Sequence, residues 1–129
     1  MSIASRTTTA TFKISPTTRR KAAPEPVGRV PRVARLMALA IRFDGLLRSG
    51  AVRNQAELAA VGHVTRARVT QILNLLHMAP DIQEQLLHLP AVRRGRDPIS
   101  EGMLRPIAAR VSWAEQRLAW LTLIESVHT

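Results

Sequence analysis

Residues Asn54–Leu76 read NQAELAAVGHVTRARVTQILNLL, and this stretch decides the fold. Asn54 is a residue of the capping kind, and Leu58 and Ala59 follow at helical spacing before a break near Gly62. Thr65 is a second capping residue, with Val69, Ile72, Leu73 and Leu76 recurring behind it every three or four positions. The spacing therefore predicts two short amphipathic helices joined by a tight turn. Where two such helices cross steeply, the first must be thin at the crossing, and Ala59 supplies that. Val64 is expected to plug the gap between them, while Val69 and Ile72 anchor the second helix to the core. With Ala59 counted as the fifth position of a helix-turn-helix, Val64, Val69 and Ile72 fall at the tenth, fifteenth and eighteenth, which require apolar side chains.

That register turns Arg66, Ala67, Thr70, Gln71 and Asn74 outward. Their chemistry is that of groups that read base edges. Arginine donates a fork to guanine, glutamine or asparagine pairs with adenine, and alanine or the threonine methyl meets the thymine methyl. Arg68 lies to one side of this face, where it suits a phosphate. Thr65 offers a cap and a hydroxyl at the helix N-terminus. Arg53, His63, Arg93, Arg94 and Arg96 are further candidates for phosphate contact. The competing account is an ordinary helical bundle, with Ala59 as close packing and the arginines as a solvated face. Against it, no acid occurs between Gly62 and Met78, and the whole chain is basic.

Outward from this stretch the chain divides in two. Residues 1–26 carry Arg6, Lys13, Arg19, Arg20 and Lys21 against one acid, Glu25, amid Ser, Thr and Pro. Such a segment cannot bury enough surface to offset its ordering entropy, so it is expected to be a disordered basic tail. Residues 27–129 are expected to form one all-α, multi-helix domain containing the helix-turn-helix. A helix should start at Pro31, bury Leu36, Leu39, Ala40, Phe43, Leu46 and Leu47, and end near Gly50. Pro80 opens another, covering Ile82, Leu86 and Leu87. A basic connector over 93–98 follows, and Ser100 begins a short helix that Pro106 is expected to break or kink. Ser112 and Glu115 form a capping box ahead of a last helix whose inward face is read as Leu118, Leu121 and Ile124.

Composition narrows the function classes. The chain has 129 residues, with 19 Lys and Arg against 9 acids, a formal charge of +10. That excess favours a polyanionic partner, nucleic acid first. Aromatics make up only 3%, so the core must be aliphatic. Cysteine is absent, which excludes thiol nucleophiles, thiolate metal sites and disulfides. No apolar run approaches the roughly 20 residues that span a bilayer. The N-terminus lacks a secretory h-region, although its Arg, Thr and Ala content resembles an organellar transit peptide. His63, His77, His88 and His128 have no metal-ligand spacing. With no nucleophile elbow, phosphate loop or paired-carboxylate pattern, the expectation is a protein that is not an enzyme and takes no metal or cofactor.

The stretch Asn54–Leu76 resembles the central helix-turn-helix of ParB-like partition proteins and of plasmid repressors of the KorB kind. LLHMAPDIQEQLLHLP (Leu75–Pro90) resembles the segment after their recognition helix, and ISEGMLRPIAARV (Ile99–Val111) resembles their LSEGHARAL element. The likeness spans about residues 35–120 and is most specific over Asn54–Leu87. It implies a multi-helix DNA-binding domain with Thr65, Arg66, Arg68, Thr70 and Gln71 near DNA. There are departures. Gly62 stands at the eighth motif position, usually apolar, and His63 at the ninth, usually glycine. Only the basic tail occupies the place of the family's nucleotide-binding domain, so nucleotide-driven clamping is not expected here. No long C-terminal dimerisation domain is expected either.

The expected function is therefore sequence-specific binding of double-stranded DNA in a bacterium, plasmid or phage. The role would be transcriptional repression or an accessory part in partition or recombination, in the cytoplasm and on the nucleoid. A homodimer on an inverted repeat is expected, because one short helix reads few base pairs. The Trp113 and Trp120 face of the last helix is the candidate surface for self-association or for a protein partner. Two rivals stand beside this reading: an adaptor for an acidic protein partner, and an RNA-binding protein.

Overall fold

The computed structural model describes residues 28–128. The expectation of a disordered tail over 1–26 lies outside them. Among the described residues six α-helices form the fold: α1 Arg32–Ser49, α2 Gln55–Gly62, α3 Arg66–Leu73, α4 Pro80–Leu87, α5 Glu101–Ala108 and α6 Trp113–His128. The protein is all-α, as its periodicity implies. No helix among the described residues is long and apolar enough to cross a membrane.

Local sequence accounts for the helix limits. Pro31 stands immediately before α1, and Gly50 ends that helix in the left-handed region at φ 82°. The first free N–H of α1, on Arg32, donates to Asp97 Oδ2 at 2.8 Å, so a residue 65 positions away caps the helix. Gly28 and Arg29 bring the chain there. Arg29 exchanges backbone hydrogen bonds with Val92 at 2.9 and 2.8 Å. Gly28, at φ +75°, passes so close that an added Cβ would lie 3.0 Å from the Val92 carbonyl oxygen.

α1 is the spine of the core. Its Val33, Met37, Ala40 and Phe43 are buried with Leu58, Val69, Ile72 and Leu86, and the helix packs on both α3 and α4. α5 packs on α6 and on a 3₁₀ turn, Asn74–His77, that follows α3. The turn changes the expected phase. An α-helical count puts Leu76 beneath Ile72, but three residues per turn put Leu75 there, and Leu75 is buried while Leu76 is half-buried.

Three further expectations are corrected. Pro106 lies inside α5 without breaking it at that point: the helix runs on to Ala108. Val64 is exposed and plugs nothing: α2 and α3 close directly through the buried Ala59. The inward face of α6 is rotated from the reading in sequence. Leu118 and Leu121 are 68% and 57% exposed, whereas Gln116 and Trp120 are buried. Gln116 Oε1 accepts from Ala79 N–H at 2.8 Å, and its Nε2 donates to the His77 and Arg110 carbonyls at 3.1 and 2.9 Å. Trp120 Nε1 donates to Gln85 Oε1 at 2.7 Å. This rotation buries the large Trp120 ring and pairs backbone groups that would otherwise lack these bonds, which offsets leaving two leucines outside. Trp113 and Trp120 therefore do not form one surface. Trp120 belongs to the core, and Trp113 is exposed beside Arg117.

Candidate nucleic-acid interface

The helix–turn–helix unit is built by three capping devices. Asn54 Oδ1 accepts from Glu57 N–H at 2.8 Å, and Glu57 Oε1 accepts in return from Arg53 N–H at 2.6 Å. α2 then ends on His63, which takes the left-handed conformation at φ 57°, ψ 41°. This is the turn position where glycine would be usual, so a side chain is held in backbone space that favours glycine. The Val64 N–H donates to the Ala59 carbonyl at 3.0 Å and closes the turn. Thr65 Oγ1 accepts from Arg68 N–H at 3.0 Å and starts α3.

The structure brings Arg66, Ala67, Thr70 and Gln71 on α3 together with Asn74, the first residue of the 3₁₀ turn, all of them exposed. Thr70 Oγ1 lies 3.0 Å from Gln55 Oε1 and 3.1 Å from the Arg66 carbonyl, so its single proton is shared between two acceptors. Gln71 Oε1 accepts from Arg68 Nη1 at 3.1 Å, which leaves the amide nitrogen as an open donor.

Arg68 is the member of the set placed differently. Its guanidinium forks onto Glu101, Nη1 to Oε2 at 2.6 Å and Nη2 to Oε1 at 3.0 Å. The two side chains are only 25% and 13% exposed. Arg68, read in sequence as a phosphate contact, is engaged within the fold: it ties α3 to α5 and fixes one end of Gln71. Its hydrogen bonds hold the Glu101 carboxyl below the usual carboxylate range, with burial opposing. Arg105 Nη2 approaches the same carboxylate at 3.5 Å. Sequence reasoning missed Glu101. Its signal was a lone acid in a Ser-Glu-Gly element, which says nothing of a partner 33 residues away.

The remaining phosphate candidates divide. Arg53 and His63 are exposed at the two ends of α2. Arg53 also reaches Glu57, Nη2 to Oε2, at 3.6 Å. Arg93, Arg94 and Arg96 are exposed on a loop anchored on the approach to α1 rather than on α3. Arg29 Nη2 donates to the Gly95 carbonyl at 2.9 Å and pairs with Asp97. The Arg32 N–H and then Arg29 hold the Asp97 carboxyl below its ordinary range. No group of three or more His, Asp or Glu side chains able to hold a metal occurs among the described residues.

Fold and site thus define an all-helical, basic protein that presents a polar, acid-free helix face from a helix–turn–helix unit. No family model matches the chain, and neither a curated protein nor a solved structure matches it.

Proposed function

We propose that the chain is a sequence-specific double-stranded DNA-binding protein without catalytic activity, reading base edges with Arg66, Thr70 and Gln71. One observation carries this reading. The exposed face of α3 and of the 3₁₀ turn that continues it combines a free guanidinium, two amides and a hydroxyl, and the span from Gly62 to Met78 supplies no acid to repel a phosphate. Phosphate contacts from Thr65, the exposed loop arginines and the basic residues before Val27 would provide most of the affinity, and α3 the discrimination. Repression, or an accessory role in partition or recombination on the nucleoid, follows from such a reader.

The test is selection of bound duplexes from a random library, followed by titration of the selected and random duplexes at fixed salt. A preference of about 10³-fold or more for the selected site is expected. Equal affinity for both would overturn the reading.

A second reading, attachment to a protein partner or to a second copy, is favoured by the outward Leu118 and Leu121 of α6. Leu118→Ser and Leu121→Ser together should leave folding intact and abolish that association, measured by analytical ultracentrifugation with and without duplex.

A further inference from the structure

Between the end of α3, the 3₁₀ turn and α5 lies a cavity of about 310 Å³. That volume falls at the lower end of the range for small-molecule sites, roughly 300–1,000 Å³. Ala108 at the end of α5, Ala109 just after it, and Leu75 of the 3₁₀ turn line it. These three residues make an apolar lining. Gln71, Asn74 and His77 contribute polar groups from one side, and Glu101 and Arg105 from the other.

Charge selects the ligand class. Glu101 is already satisfied by the Arg68 fork and approached by Arg105. Two guanidiniums against one carboxylate leave one surplus positive charge at the cavity. Arg105 is 61% exposed and makes only the 3.5 Å contact, so most of its N–H donors remain open. A cation would meet the surplus unfavourably, and a neutral molecule would leave the fork unused. A planar carboxylate matches a guanidinium in both charge and geometry, while an apolar body suits Leu75 and the alanines.

We propose that this cavity binds a small monoanionic carboxylate with an apolar body, and that the bound ligand acts on the outward face of α3 through Gln71. Gln71 lines the cavity and is held there by Arg68, so a ligand competing for that amide changes what α3 presents. The second half rests on the proposed DNA reading, and the first half does not.

The experiment uses the full chain, labelled with ¹⁵N, and follows amide shifts at Leu75, Arg105 and Ala109. Benzoate and indole-3-acetate are the probes, with benzamide and inorganic phosphate as controls. Saturable shifts are expected for the carboxylates. Binding should be about tenfold weaker for benzamide, and by a similar factor for benzoate with Arg105→Gln, the loss expected for one charge-assisted contact. Ala109→Trp, at an exposed position, should fill the mouth and remove the shifts without lowering the melting temperature. Absence of saturable shifts with both carboxylates overturns the proposal, as does equal binding of benzamide. Equal binding of phosphate would make the cavity a DNA-backbone contact, and would overturn it too.

A second arm measures duplex affinity with and without saturating indole-3-acetate. A change of threefold or more, lost in Gln71→Ala, is expected, and no change refutes the action on α3. Carboxylate shifts in a protein that binds no selected duplex would strike the DNA reading and leave the ligand site standing.

Discussion

Arg68 on α3 and Glu101 on α5 meet through two hydrogen bonds of 2.6 and 3.0 Å, although 33 residues separate them. The pair decides three things at once. It sets how α5 docks beside the helix–turn–helix unit, it orients Gln71, and it withdraws one of the two arginines of α3 from the exposed face.

Removing one partner should expose the cost of burying the other. Arg68→Ala is expected to destabilise the protein by about 1.5–3 kcal/mol, and Arg68→Lys by less, because an ammonium keeps the charge but loses the fork. Urea denaturation of the single and double variants with Glu101→Gln gives the coupling. Strictly additive losses would mean that the pair acts as an ordinary solvated one.

Acid should weaken the fold through the same carboxylate. Glu101 and Asp97 have folded-state pKa values held down by their partners, so the folded chain binds fewer protons than the unfolded one. Their contribution is fully present above the ordinary carboxylate range, about pH 4, and is lost as pH falls through the depressed folded-state values. The melting temperature should hold between about pH 7 and 5 and drop below about 4, less steeply in Glu101→Gln. An identical pH profile in that variant would remove Glu101 from the account.

On the DNA side, Arg66→Ala or Gln71→Ala should each cost about 1–3 kcal/mol of discrimination between selected and random duplex. Circular dichroism should be unchanged, since both side chains are exposed. Equal losses on both duplexes would move these residues to the phosphate class.

His63 offers a gain of stability. Its left-handed backbone costs about 1–2 kcal/mol for a residue with a Cβ, partly offset in a glycine variant by greater freedom of the unfolded chain. His63→Gly should therefore raise stability by about 0.5–1 kcal/mol, and the β-branched His63→Val should lower it. Thermal unfolding that ranks valine above glycine would contradict the conformation of this turn.

Gln116→Leu preserves side-chain size and removes every polar partner. The Ala79 N–H and the His77 and Arg110 carbonyls lose their bonds to this side chain, and a loss of about 3 kcal/mol is expected. A variant as stable as the original protein would show that the polar hub contributes nothing, and that apolar packing alone orients α6.

Much of the fold is legible in the sequence alone. The caps at Asn54 and Thr65, the stop at Gly50, the start at Pro80 and the inward Ala59, Val69 and Ile72 of the motif all act within about one helical turn. Interactions that local depend on neighbours in the chain, so composition and spacing suffice to place them. The outward set on α3 is legible for the same reason, being what remains once the inward residues of a short helix are assigned.

The tertiary structure alone decided the rest. Leu118, Leu121 and Ile124 make an apolar stripe in sequence, yet α6 turns Gln116 and Trp120 inward, because their hydrogen-bonding partners at His77, Ala79 and Gln85 stand on distant segments. Arg68 has the spacing of a surface cation until α5 brings Glu101 within 2.6 Å. The physical reason is common to both cases. The burial of a polar group is favourable only when a matching group arrives from elsewhere in the chain, and periodicity carries no record of where that group will be.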